Sequence, residues 1–190
     1  MTILKLVNQY YLQEEINMII IGFPAVGKSQ YQHYQKVTGD TITRPIVVDF
    51  ESSTFEKTDP NWVTSYCNAA LDLESQGFVV FVSSHIDVRR KLIYLRQNLQ
   101  MFNDLFIIYP ALSPEMKSHW IDRTYNRYKS VSIQKNRKAY ERVRDHYDED
   151  IKSIEDEVKQ GLYQGYYRIE NTDRYNMKDI INGFERKAVN

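Results

Sequence analysis

Residues 22 to 29 read Gly-Phe-Pro-Ala-Val-Gly-Lys-Ser and fit G-x-x-x-x-G-K-[ST] at every fixed position. That spacing suits a phosphate cradle. The glycines let a loop curl until successive backbone N–H groups point inward, and a helix that follows adds its dipole and its free N–H groups. Lys28 can then reach the β- and γ-phosphates of a nucleotide, and the Ser29 hydroxyl can ligate Mg²⁺. The candidate ATP-phosphate residues are therefore Gly22, Phe23, Pro24, Ala25, Val26, Gly27, Lys28 and Ser29, with Ser29 on the metal. The rival reading is a Gly-rich turn with no ligand.

Other polar residues could supply the acceptor side. Asp49, in "VVDFESSTF", could take a proton from an acceptor hydroxyl, hold Mg²⁺ through water or orient the substrate; alternatively it only caps the next turn. Ser52 is a weaker companion. Arg89 and Arg90 could grip a phosphate or carboxylate as planar forks, or form a solvated pair on a helix. His85 reads as a hydrogen-bonded strand-end residue, and His33 and His119 as structural.

"WIDRTYNRYKSVSIQKNRKAYERVR" (120–144) is rich in cations, and "DHYDEDIKSIEDE" (145–157) is mostly acidic. Arg123 and Arg127 are four apart and share one helix face. With Arg137 they suit a lid that closes over a nucleotide and stabilises charge on a transferred phosphoryl group. The plainer reading is a helical hairpin with a solvated charged surface. A nucleic-acid strip using Tyr125, Tyr128 and Tyr140 is a third reading, which the acidic neighbour disfavours.

These residues need elements to position them. "MIII" before Gly22 reads as a strand buried on both faces, and "SQYQHYQKV" after Lys28 as a helix. Further strands are expected at 45–50, 78–84, 105–110 and 165–169. Helices are expected from a cap at Asp59 with Pro60 at the first position, over 86–100, from Ser113-Pro114-Glu115, and after a cap at Asn176. A break falls at "YKSVSI" (128–133). The order β-α-β-α-β-α-β-α-α-β-α predicts an α/β fold, a five-stranded parallel sheet with helices on both faces. Residues 1–17 read as an N-terminal extension and 18–190 as one domain with a lid-like segment at about 120–160. Asn171, after the last strand, stands where this architecture would place a purine base.

The bulk properties are permissive. The chain has 190 residues, 42% hydrophobic and 26% charged, with zero formal net charge. That suits one domain with a sizeable core and leaves its overall field neutral towards nucleic acid. One cysteine, Cys67, excludes a disulfide framework within the chain. No apolar run reaches the roughly 18 residues of a membrane span, and the N-terminal stretch is a poor signal peptide. A cytoplasmic location is expected.

"GFPAVGKS" resembles the G-x-P-G-x-G-K-[ST] loop of the nucleoside monophosphate kinase superfamily, which also holds gluconate- and shikimate-type kinases. It departs from that pattern at Ala25, where the family usually has glycine. With "VVDFESSTF", "VFVSSHIDVRRKL", "IIYP" and "WIDRTYNRY", the chain looks closest to small nucleotide (adenylate) kinase-like proteins encoded by bacteriophages. The resemblance implies a three-layer P-loop NTPase fold with a helical lid, ATP and Mg²⁺ as cofactors, a phosphate-bearing nucleotide as acceptor, and a bacterial host cytoplasm. The third strand ends in serines rather than in the carboxylate of motor ATPases, so Asp49 is the leading carboxylate. A polynucleotide 5′-end kinase, a sugar-acid kinase and a non-catalytic nucleotide binder are the alternatives.

Overall fold

A computed structural model describes residues 17–39, 45–101, 104–172 and 175–188. The expected extension, apart from Asn17, lies outside them. The elements in chain order are β1 (Met18–Gly22), α1 (Lys28–Thr38), β2 (Val47–Asp49), a 3₁₀ turn (Ser52–Thr54), α2 (Trp62–Glu74), β3 (Val79–Ser83), α3 (Ile86–Leu99), β4 (Leu105–Pro110), α4 (Pro114–Ser130), α5 (Gln134–Lys159), β5 (Gly165–Ile169) and α6 (Met177–Ala188).

The five strands form one all-parallel sheet in the order β2-β3-β1-β4-β5, with helices on both faces. β1 is central because all five of its residues are buried, and Met18–Ile21 are apolar and fully covered. Right-handed crossovers send the β1–β2 connection and the β3–β4 connection in opposite directions. They leave on opposite faces, so a crevice opens at the carboxyl ends of β1 and β3, where Gly22 stands in register with Ser83.

Local chemistry sets most element ends. Ser113 Oγ accepts the Met116 N–H at 3.2 Å with Pro114 at the first helical position. Asn176 Oδ1 accepts the Lys178 N–H at the start of α6. The expected start of α2 at Pro60 is corrected. Asp59 uses its carboxylate on the Asn61 N–H and its carbonyl on the Trp62 N–H, so Asp59-Pro60 is a turn and the helix begins at Trp62. Cys67 is buried beneath α2, and burial pushes its thiol up to about 12, so it behaves as a small hydrophobe.

α4 and α5 form an antiparallel hairpin whose break at 131–133 falls where expected. α5 has 26 residues, about 39 Å of helix. Its second half is bound into the body: Val143, Tyr147, Ile151 and Ile154 make one buried stripe, and the Tyr147 hydroxyl donates to the Ala111 carbonyl at 2.8 Å. Only the hairpin's tip, around residues 123–142, reaches over the crevice. Among the described residues no helix is long and apolar enough to cross a membrane.

Candidate functional site

The crevice is a cleft of about 1200 Å³ whose floor is the loop between β1 and α1. Gly27 caps α1 with φ 101°, a conformation that favours glycine, and so turns the chain into the helix. Gly22 has a different reason. A Cβ there would stand 2.7 Å from Lys28 Cδ, so a larger residue would push the lysine stem aside. Lys28 Nζ donates to the Gly22 carbonyl at 2.7 Å. Desolvation lowers its pKa first; Asp49 and Glu51 oppose that, and Arg127 and Lys135 reinforce it. A polyanion beside this ammonium would favour its charged form.

Ala25 adopts φ 64°, the left-handed region. The loop holds it there through long-range pins. Trp120 Nε1 donates to the Pro24 carbonyl at 2.7 Å, and the Tyr175 hydroxyl donates to the Val26 carbonyl at 3.3 Å. Phe23 is buried edge-on to Tyr147, with ring centroids 5.9 Å apart.

Asp49 ends β2 on the same side of the sheet. The Ser29 hydroxyl donates to its Oδ2 in a short hydrogen bond. The spacing between β2 and β3 at this edge is set by Tyr66, whose hydroxyl donates to the Phe50 carbonyl at 2.7 Å and accepts the Ser83 N–H at 3.0 Å. Sequence periodicity marks Tyr66 only as a core residue of α2.

Arg123 and Arg127 line the cleft from α4. The Arg123 guanidinium lies 5.5 Å from the Trp120 ring centroid and 5.8 Å from that of Tyr175. Ser52 also lines the cleft, with Glu51 beside it.

Four expected site residues are placed elsewhere. Arg89 is fully buried: its guanidinium meets Glu157 with two nitrogens at 2.8 and 3.0 Å, Ser153 Oγ and the Ser84 carbonyl. It ties α3 to α5 and does not line the cleft. Arg90 is exposed, one position round the helix from Arg89 and away from the cleft. Arg137 is exposed and paired with Glu141 at 2.8 Å, on the side of α5 opposite the cleft-lining row. Asn171 is exposed outside the cleft lining, and its neighbour Asp173 lies outside the described residues.

The cleft gains cations that the sequence reading missed. Lys57 comes from the loop after β2, and Lys135, Lys138 and Arg142 project from one face of α5 at helical spacing. Lys135 pairs with Glu51 across the cleft, and Arg142 grips Asp150 with two bonds of 2.7 Å. Lys57 Nζ rests 3.2 Å above the Trp62 ring centroid, a cation–π contact, and the His85 ring meets Trp62 edge-on at 5.5 Å. His85 caps α3, its Nδ1 accepting the Asp87 N–H at 3.3 Å. Desolvation lowers its pKa, helped by Arg142 and Lys57, so the ring is neutral near pH 7 with Nε2 as its N–H donor.

In total the lining holds seven Lys and Arg side chains against three carboxylates, in a chain of zero formal net charge. Charge of one sign focused in a cleft draws a ligand of the other sign. Among the described residues no cluster of three or more His, Cys, Asp and Glu could hold a metal ion. A hard cation at Ser29 would therefore need ligand oxygens from a bound phosphate as well, which is how Mg²⁺ is usually held.

No family model, curated protein or solved structure matches this chain.

Proposed function

We propose that the chain is a P-loop phosphotransferase that uses ATP and Mg²⁺ to phosphorylate a small phosphate-bearing acceptor, a (deoxy)nucleoside monophosphate above all. The observation that carries this reading is the meeting of Lys28, Ser29 and Asp49 on the floor of a cleft with a marked excess of cations. A sheet in the order β2-β3-β1-β4-β5 with its loop after the central strand supports a P-loop NTPase fold.

In this reading the loop amides and Lys28 hold the donor's phosphates, and the Ser29 hydroxyl is the protein's ligand to Mg²⁺. When bound there, the metal would neutralise part of the donor's phosphate charge. Asp49, hydrogen-bonded to Ser29, would hold water at that metal. Arg123 and Arg127 meet the charge on the transferred group from above. The bond from the γ-phosphorus to its bridging oxygen breaks, a bond from that phosphorus to an acceptor oxygen forms, and ADP leaves. An anionic acceptor has little proton to lose, which fits a neutral His85 that is engaged as a helix cap. Closure of the hairpin tip would exclude water from the reacting phosphate.

A polynucleotide acceptor has less support. Tyr125, Tyr128 and Tyr140 do cluster, but the neighbouring Arg137 and Arg144 are engaged by Glu141 and Asp145. The test is a panel of ribo- and deoxyribonucleoside monophosphates with ATP and Mg²⁺, read as ADP formation. Lys28→Ala should lower turnover by ~10²–10³-fold or more while the fold persists. Full turnover by that variant would sink the assignment.

A further inference from the structure

The cleft's cations fall into two groups. Lys28 shares its surroundings with Arg127 and Lys135 and with the carboxylates Asp49 and Glu51, so charge there is partly balanced. Lys57 and Lys138 make a second group. Both line the cleft, from opposite walls: one from the loop before α2, the other from the first turns of α5. Among the described residues neither has an ion-pair partner, whereas Lys135 is held by Glu51 and Arg142 by Asp150.

Two features make this arrangement costly without a ligand. The Lys138 charge adds to desolvation in making the Lys57 ammonium costlier to hold. In addition, α5 begins without a side-chain cap and with no acidic residue in its first turn. The positive end of its dipole therefore adds to Lys135 and Lys138 instead of being offset. Lys57 is nonetheless held in the cleft by the face of Trp62.

We propose that Lys57 and Lys138 form an anion subsite, distinct from the phosphate loop, that grips the phosphate monoester of the acceptor. A monoester near neutral pH carries close to two negative charges, which matches two ammonium groups. Lysines suit this task because they bind phosphate as point charges and do not require the bidentate alignment of arginine. Trp62 is a positioning residue that keeps Lys57 Nζ over its ring. This assignment rests on the phosphotransferase reading above and moves the acceptor's anchor from Arg89 and Arg90 to these two lysines.

The test is calorimetric titration of the full chain, with Mg²⁺ and a non-hydrolysable β,γ-imido ATP analogue already bound. Nucleoside monophosphates, ribose 5-phosphate, inorganic phosphate and the matching nucleosides are added in separate arms. Phosphate-bearing ligands should bind and nucleosides should not. The arms also distinguish a nucleotide from a sugar phosphate or free phosphate as the source of the monoester. Lys57→Gln and Lys138→Gln should each weaken the monoester by ~10-fold, the loss of one charge-assisted contact, and leave the analogue's affinity within ~3-fold. Both lysines are exposed enough for the variants to fold. The proposal is overturned if no monoester binds, if neither variant weakens it, or if both weaken the analogue equally. Failure of the analogue itself to bind would instead overturn the phosphotransferase reading, and the monoester arms would then be run on the chain alone.

Discussion

Ser29, in the first turn of α1, donates its hydroxyl hydrogen to the Asp49 carboxylate at the end of β2. They lie twenty positions apart in the chain, and β3 lies in the sheet between β2 and β1, the strand that leads into α1. On the proposed reading, this bond places Asp49 beside the residue that would hold Mg²⁺, although β3 ends in serine.

Asp49→Asn keeps the hydrogen bond's shape and removes the charge. Transfer should fall by ~10²-fold or more, and half-maximal turnover should need a higher Mg²⁺ concentration. ADP formation across a Mg²⁺ titration reads both effects. An unchanged Mg²⁺ dependence would remove Asp49 from the metal side.

Ala25 sits at φ 64°, where a Cβ costs about 1–2 kcal/mol and glycine costs nothing comparable. Ala25→Gly should therefore stabilise the protein by about 0.5–1 kcal/mol after the greater unfolded-state entropy of glycine is subtracted. Thermal denaturation should show a rise of a few degrees at this chain length. A fall in midpoint would mean that the loop is not strained at this residue.

Arg89 belongs to the frame and not to the ligand site. Arg89→Ala strands Glu157, which is only 12% exposed and also accepts from the Tyr163 hydroxyl. Leaving such a carboxylate unpaired costs about 3–5 kcal/mol. Chemical denaturation should show that loss. At temperatures where the variant is still folded, affinity for the ATP analogue should match wild type. Selective loss of acceptor affinity in a fully stable variant would restore Arg89 to the substrate side.

Lys57 should make acceptor binding depend on pH. Desolvation and the Lys138 charge push it down to about 8. The groups facing it are Lys138 from α5 and the rings of Trp62 and Tyr66 from α2, with His85 beyond Trp62. Since its charged form binds the anion, monoester affinity should be highest near pH 7, where the monoester is mostly dianionic and Lys57 mostly charged, and decline as pH rises through about 8. A bound dianion favours the ammonium, so the complex should titrate at higher pH than the free protein. Calorimetry from pH 7 to 9.5 checks this, and Lys57→Arg should flatten the profile. A wild-type profile already flat would exclude Lys57 from the subsite.

Much of the frame was legible because its causes are local. β4 begins and ends where its apolar run begins and ends, and α4 starts at Ser113-Pro114 because the hydroxyl cap and the proline act within one turn. The turn from β1 into α1 was legible for the same reason: Gly22, Gly27 and Lys28 act on one another within a few residues. Charge partners were not. Arg89 is buried by Glu157, 68 residues away, and Lys57 is brought opposite Lys138 only when the α4–α5 hairpin folds back over the sheet. A sequence shows which residues carry charge. Which of those charges are neutralised by a partner, and which are left facing the cleft, depends on distances that packing alone creates, because ionic interactions follow separation in space and not along the chain.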